Sequence, residues 1–326
     1  GELSFSAGPL ESVEGFLGRM NEERSKLGYE IDGLVIKVDE LEPREELGYT
    51  GHHPRWALAF KFESPEAVST VRAVEVQVGR TGRITPVARI EPVQIGGSTV
   101  SNVTLHNQQY IDALELGIGD QVAVSKRGDV IPAVERVIEK GAGAEPVWRM
   151  PEECPSCGAG LEIHGAHLFC VNRRCPDQVR GRIVFFIGKD QMDIDNFGPE
   201  TAAYLIEKGI IAGVEDIYRF DPESLAGEAG FGEKKIALLK SGIEASKEQP
   251  YRRVLSSLGI PDLGQKAAEL LIEAGYRSID ALLKAADEGS EAELAEIHGI
   301  GEKTAASILT SLRDSELRKQ IDVLRE

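Results

Sequence analysis

The sequence is short of several things, and each shortage removes a class of explanation. It holds only four Cys in 326 residues, and these are clustered, so a disulfide framework is not suggested and a metal site is. No apolar run approaches the length of a membrane span. The opening stretch, GELSFSAGPLESVEGF, lacks the basic-then-apolar order of a signal peptide, and no Met begins it, so a fragment or a processed chain is expected. A cytoplasmic location is the default expectation. Positive charge is in deficit: 37 Lys and Arg against 54 Asp and Glu leave a net charge of −17, which argues against a broad nucleic-acid-binding field.

What remains is a chain whose 41% hydrophobic content is ordinary for a globular protein and whose length implies more than one domain. The charge is unevenly spread. Residues 1–70 carry 7 basic and 14 acidic side chains, residues 71–190 carry 14 of each, and residues 191–326 carry 16 basic and 26 acidic. Any surface for a polyanion must therefore come from local basic clusters and backbone donors.

The stretch Tyr29–Phe62 reads as two strand-like runs. Val13, Phe16, Leu17 and Met20 predict an amphipathic helix in the lead-in, and Arg24, eight residues before Asp32, is the charge there to watch. Alternation places Arg55, Ala57, Ala59 and Lys61 on one face of the second run, and Trp56, Leu58, Phe60 and Phe62 on the other, expected to be the core face. Two small residues flanked by cations leave room for something flat and anionic. In the first run Gly33, Val35 and Lys37 share a face and Asp32 falls opposite. If Asp32 and Lys37 serve one ligand, the strand must bend or bulge near Gly33. Two ordinary strands with solvated lysines are the alternative.

From Val71 to about Glu139 short β-rich runs are punctuated by Gly and Pro, which predicts a small barrel, with an OB-fold the natural candidate. The turns Arg80-Thr81-Gly82-Arg83 and Ser125-Lys126-Arg127-Gly128 put cations and backbone N–H groups at loop tips, suited to phosphate contacts or simply solubilising. Cys154 and Cys157, then twelve residues, then Cys170 and Cys175 form two short pairs that can grip one tetrahedral Zn²⁺ in a closed, structural site. His164 and His167 between the pairs could replace a thiolate, but with four Cys at suitable spacing they read first as loop residues. Arg173, Arg174, Arg180 and Arg182 form the densest basic cluster, either a backbone contact for nucleic acid or an interdomain surface.

The rest is helical and repetitive. Four turns, centred on Gly198, Gly232, Gly264 and Gly301, lie 34, 32 and 37 residues apart, each between apolar helices. The unit matches a helix-hairpin-helix, in which N–H groups at the next helix N-terminus bind a phosphate. Lys234, Lys266 and Lys303 follow three of the glycines. The first turn has Pro199 and Glu200 instead, and is expected to bind phosphate least.

The order Tyr-Glu-Ile-Asp-Gly-Leu-Val-Ile-Lys-Val, Pro-Arg-Trp-Ala-Leu-Ala-Phe-Lys-Phe, Val-Gly-Arg-Thr-Gly-Arg-Ile-Thr-Pro-Val-Ala, Gly-Asp-Val-Ile-Pro, four Cys and four hairpins closely resembles bacterial NAD⁺-dependent DNA ligase. The resemblance implies a multidomain α+β chain: the end of a nucleotidyltransferase (adenylation) domain over 1–68, an OB-fold over 69–145, a four-Cys zinc finger over 146–180 and helix-hairpin-helix repeats over 181–326. It implies sealing of 5′-phosphate/3′-hydroxyl nicks in duplex DNA, in replication and repair, through enzyme–AMP and DNA–AMP, with NAD⁺ as adenylate donor, Mg²⁺ or Mn²⁺ in catalysis, structural Zn²⁺, no membrane and a monomer. By the same resemblance Asp32 serves the metal or the nucleophilic lysine, and Lys37 and Lys61 contact the AMP phosphate. Arg24 contacts nucleotide phosphates. Arg80, Thr81 and Lys126 meet DNA, as do Gly232, Lys234, Gly264, Lys266, Gly301 and Lys303. One departure is marked: the family's Lys-x-Asp-Gly motif is absent, and Lys37-Val38-Asp39-Glu40 only imitates it. The expectation is an internal piece, without the family's N-terminal NAD domain and C-terminal BRCT domain, unable to form the enzyme–adenylate. A non-catalytic nick- or junction-binding module and an ATP- or GTP-dependent nucleotidyltransferase are the competing readings.

Overall fold

In the computed structural model, residues 10–29, 31–50, 53–62, 66–127, 131–141 and 147–325 are described. Gly128, in the second predicted turn, and the Gly-Asp-Val of the Gly-Asp-Val-Ile-Pro string lie outside them. The chain divides into two compact units, 1–76 with 85–150, and 77–84 with 151–326. Among the described residues, no helix is long and apolar enough to cross a membrane.

The first unit begins with α1 (Leu10–Glu23), which buries Met20 as its periodicity predicts. A two-stranded antiparallel ribbon follows, β1 (Gly33–Lys37) against β2 (Ala57–Lys61), with the short α2 (Leu41–Leu47) between them. The expected core face of this ribbon is not a core. Leu58 is 66% exposed and Phe60 38%, and only Phe62 is buried. Parity sorted the side chains correctly, but a two-stranded ribbon buries a face only where a further layer covers it.

Five strands then close a barrel: β3 (Ala67–Val78), β4 (Arg83–Ile95), β5 (Ser98–Thr104), β6 (Gln121–Arg127) and β7 (Ile131–Glu139). The sheet runs β7-β6-β3-β4 with β5 on β4, and β5 returns to β7. With α3 (Gln108–Leu114) between the third and fourth of these strands, this is the OB arrangement. Alternate residues of every strand fill its core, among them Val71, Ala88, Val103, Val122 and Val134.

A buried carboxylate locks the barrel's end. Asp120 is wholly buried and accepts from the Gly117 N–H at 2.7 Å, the Gly141 N–H at 3.0 Å and Lys140 Nζ at 3.0 Å. A Cβ on Gly141 would lie 2.6 Å from the Gly119 carbonyl, so the two strand ends meet backbone to backbone. Burial alone would raise the Asp120 pKa, but the two N–H groups and Lys140 outweigh it and hold the carboxyl below the ordinary aspartate range. Its contribution to stability is present above about pH 4 and is lost as pH falls through the depressed native value. Replacing Asp120 with Ala should cost about 2–3 kcal/mol, because it leaves the Gly117 and Gly141 N–H groups without their acceptor, while the half-exposed Lys140 returns to water. Urea unfolding at pH 7 tests this, and an unchanged midpoint would remove Asp120 from the lock. The Asp120→Asn protein should also lose part of the wild-type drop in stability below about pH 4.

In the second unit the hairpin β8 (Leu161–His164) with β9 (His167–Cys170) pairs through β9 with Arg83 and Ile84. Eight helices follow: α4 (Pro176–Ile187), α5 (Pro199–Glu207), α6 (Glu233–Ser246), α7 (Tyr251–Ser257), α8 (Gln265–Glu273), α9 (Ile279–Glu288), α10 (Glu291–Ala295) and α11 (Glu302–Leu312); α12 (Ser315–Leu324) ends the described chain. They bury two separate cores. One runs from Ile183 to Ile243 and takes in Phe197 and Phe231; the other runs from Leu255 to Ile321 and takes in Leu263 and Ile300. The four sequence repeats are thus two bodies of two hairpins each. Helix α12 belongs to both, with Ile321 in the second core and Leu324 packed against the first.

Candidate functional site

The ribbon register sets Lys37 opposite Ala57 and Lys61 opposite Gly33, so both lysines lie on one face with Val35 and Ala59 between them. Four residues of strand separate the two rungs by about 13 Å. Two long cationic side chains thus stand at the ends of a shallow face paved with small residues. Asp32 reaches the same face without the anticipated bulge. It precedes β1, the ladder from Gly33 to Lys37 is regular, and its carboxylate lies 3.2 Å from Lys61 Nζ. A Cβ on Gly33 would come within 2.4 Å of the Phe60 carbonyl, so this rung is open to glycine alone. Both members of the Asp32–Lys61 pair are more than half exposed. Such a pair adds little to folding. Arg24 is placed nearby, its guanidinium 5.2 Å over the Phe62 ring. Trp56, half-buried, stacks edge-on with Tyr49 and under Arg44.

The cysteines converge as their spacing predicts. All four Sγ atoms lie within 4.8 Å of one another, with Cys154–Cys175 at 3.8 Å and Cys157–Cys170 at 3.6 Å. Four sulfurs around Zn²⁺ at bonds of about 2.3 Å would stand about 3.8 Å apart, so the cluster fits that ion. Burial pushes the Cys154 thiol up to about 12, while the Ala159 backbone N–H draws Cys157 down to about 7; a bound cation holds all four as thiolates. Three of the four are buried and Cys157 is partly buried. His164 and His167 stay outside: His164 pairs with Glu162, and His167 meets Arg83 at 3.1 Å.

The cations predicted at loop tips are largely engaged. Arg80 donates to the Gly259 carbonyl at 3.1 Å and lies 4.0 Å over the Phe185 ring; burial lowers its pKa. Lys126 is only 9% exposed and donates to the Gly96 carbonyl. Thr81 stays exposed at the turn. In the arginine cluster, Arg173 pairs with Asp314 at 2.5 Å, Arg182 donates to the Arg173 carbonyl at 2.6 Å and Arg180 pairs with Asp177. Arg173 and Arg180 stay more than half exposed within these pairs.

The hairpins repeat one geometry four times. Asn196, Gly230, Asp262 and Gly299 take positive φ. Phe197, Phe231, Leu263 and Ile300 follow and are buried. Gly198, Gly232, Gly264 and Gly301 then cap the helices α5, α6, α8 and α11 with extended backbone and no side-chain cap. A Cβ at any of these four glycines would meet nothing within 4 Å, and all four are exposed. Neither backbone strain nor packing demands glycine there. What glycine leaves is unobstructed access to the first N–H groups of each helix. Lys234 and Lys303 stand exposed beside two of them, and Lys266 pairs with Glu269 at 3.0 Å. The first hairpin shares the geometry but loses one donor to Pro199.

Tandem glycine-capped helices and a small five-stranded barrel define a modular α+β protein whose helix N-termini present open backbone N–H groups. Sequence comparison narrows it. Residues 3–65 match the NAD-dependent DNA ligase adenylation domain, residues 68–145 its OB-fold domain, and residues 192–245 and 254–314 the SAM-like helix-hairpin-helix tandem. The chain is 44% identical over 306 residues to a DNA ligase of Borrelia duttonii, covering 93% of this chain and 45% of that protein. It is 42% identical over 309 residues to a DNA ligase of Leptospira interrogans, with 93% and 45% covered, and 40% identical over 324 residues to one of Borrelia turicatae, with 99% and 48% covered. The chain spans a little under half the length of these relatives. Over the matched residues it belongs to the NAD-dependent DNA ligase family.

Proposed function

We propose that these residues hold nicked duplex DNA and contribute phosphate contacts to an NAD⁺-dependent ligase that joins a 5′-phosphate to a 3′-hydroxyl. The observation that carries the reading is the shared face of Lys37 and Lys61 with Asp32 in contact. Each of the three transfers in such a reaction (nucleotide to enzyme lysine, AMP to the DNA 5′-phosphate, DNA 3′-hydroxyl onto that phosphate) crowds negative charge on one phosphoryl group. Lys37 and Lys61 would bind its oxygens and stabilise that charge, and Arg24 would contact the nucleotide phosphates. Asp32, open to water, suits Mg²⁺ or Mn²⁺, which supplies further charge stabilisation when bound. Its hold on Lys61 would also aim that ammonium.

Lys61→Ala in an enzyme carrying the complete adenylation domain should slow adenylyl transfer by about a hundredfold while nick binding stays within about twofold. Single-turnover transfer from NAD⁺ and a parallel gel-shift titration measure both, and an unchanged transfer rate would take Lys61 out of the site. The residues present contain no Lys-x-Asp-Gly, which favours a second reading for the polypeptide taken alone, a nick- or junction-binding module. Incubated with NAD⁺ and Mg²⁺, it should gain no AMP by mass. The match to the NAD-dependent adenylation and OB-fold domains, with the four-cysteine cluster and the hairpins, weighs against an ATP- or GTP-dependent nucleotidyltransferase.

A further inference from the structure

The two hairpin bodies of the second unit meet at the turn that leaves α4. The chain does not run straight from that helix into the first hairpin but folds back on its end. The Gln191 and Asp193 N–H groups donate to the Gly188 carbonyl at 2.9 Å, the Met192 N–H to Phe186 at 3.0 Å and the Ile194 N–H to Ile187 at 3.1 Å. Asp193 takes positive φ in this reversal, and Met192 and Ile194 are buried in the first core. With those N–H groups turned inward, three successive carbonyls, of Lys189, Asp190 and Gln191, are left to find other partners.

The partners come from the other body. Arg253 of α7 donates from Nη1 to the Lys189 carbonyl at 3.0 Å and to the Gln191 carbonyl at 3.2 Å, with the Asp193 carboxylate 3.6 Å away. Gln265, the first residue of α8 after its Gly264 cap, donates from Nε2 to the Asp190 carbonyl between them. A cation at the exit of α4 also meets the negative end of that helix. Val254, next to Arg253, packs against the first core while Leu255 sits in the second. Downstream, the pinned segment reaches the rest of the first body. Asp195 passes Gly242 of α6 so closely that a Cβ there would strike the Asp195 carbonyl, and Phe197 of the first hairpin follows two residues on.

Helix α12 is another joint between the bodies. A single joint would let them turn about it; a second removes that freedom. The freedom matters because phosphates on a duplex are spaced by the double helix. A second body binds as if at high local concentration only when it is held at the matching separation. We propose that Arg253, backed by Gln265, is a positioning residue that locks the two hairpin bodies at one separation, so that phosphate binding by one body strengthens binding by the other. The proposal rests on the DNA-holding reading only for what the hairpins bind.

The test uses the full chain with zinc bound. Spin labels on ketone-bearing residues placed at the exposed positions of Glu207 and Glu273 spare the cysteines and report the separation of the bodies without DNA. The distance distribution should be narrow in the parent and should broaden in Arg253→Met, which keeps the apolar stem and loses the donors. Amide exchange at residues 191–194 should quicken about tenfold in Arg253→Met, with the cores of both bodies unchanged. Gln265→Ala, at the surface, should move both readouts the same way by a smaller amount. With nicked duplex, Arg253→Met should weaken binding about tenfold, but less than about twofold once Gly264→Asp and Gly301→Asp have disabled the second body. An unbroadened distribution in Arg253→Met overturns the proposal, as does faster exchange throughout either core. A full loss of about tenfold in the disabled background would also overturn it, because Arg253 would then act on DNA without the second body. Should the wild-type chain bind no duplex at all, the ligase reading fails, and the distance and exchange arms still decide whether Arg253 locks the bodies.

Discussion

Stripping zinc from Cys154, Cys157, Cys170 and Cys175 is expected to unfold the segment between them and to lower the cooperativity of the whole second unit. The segment has little to hold it otherwise: β8 and β9 are four residues each, and Ile163 is 75% exposed. A structural four-thiolate site contributes on the order of 10 kcal/mol of apparent binding energy to such a fold. Loss should spread through three contacts. Cys175 precedes the first turn of α4, Cys170 bonds Gly82, and Arg173 holds Asp314. One zinc per chain by atomic absorption, none in Cys154→Ala, and loss of the slow-exchanging amides of 160–180 on chelation are the expected measurements. A Cys154→Ala chain that kept its exchange protection would show that the sulfurs cluster without needing the ion.

The second large effect has two opposite signs. Asp at positions 232, 264 and 301 should stabilise the protein and, if the hairpins hold DNA as proposed, sharply weaken its binding to nicked duplex. The extended cap positions accept any side chain, and the space beside them is open. An Asp there caps the helix and favours its dipole, worth about 0.5 kcal/mol each, so the melting temperature should rise by a few degrees. The same carboxylate takes the N–H groups a phosphate would use. Losing charge-assisted bonds at about 1.5 kcal/mol or more per hairpin makes the triple variant about a thousandfold weaker for nicked duplex. Gly198→Asp should do less, since Pro199 has already removed a donor. Calorimetry and fluorescence titration on one preparation settle it: a destabilised variant would mean the glycines serve the fold, and unchanged affinity would mean the hairpins do not hold DNA.

Local chemistry was the part readable from sequence. Metal-ligand spacing brought four sulfurs together, and strand parity put Lys37 and Lys61 where a ribbon shows them on one face. The hairpins were legible because Gly, Asn and Asp tolerate the positive φ that starts each one. Features set by distant partners were hidden. Parity assigned Leu58 and Phe60 to a face but could not say whether anything covers it. Arg80 and Lys126 read as loop-tip cations, yet their partners Phe185, Gly259 and Gly96 are not local to them. Asp120 gave one faint signal, an acid following Gly-Ile-Gly at a strand entrance, and nothing in the sequence named Lys140 and Gly141 as its partners.

The last helix has a mechanical consequence. Its N-terminal carboxylate, Asp314, is gripped by Arg173, Ile321 is seated in one helical core and Leu324 rests against the other. A short rod fastened at three points transmits force between them, so pulling at the chain's end would load both hairpin bodies and the thiolate knuckle together. Under tension the second unit should therefore give way in one step that begins at this helix and takes Ile321 out of its core.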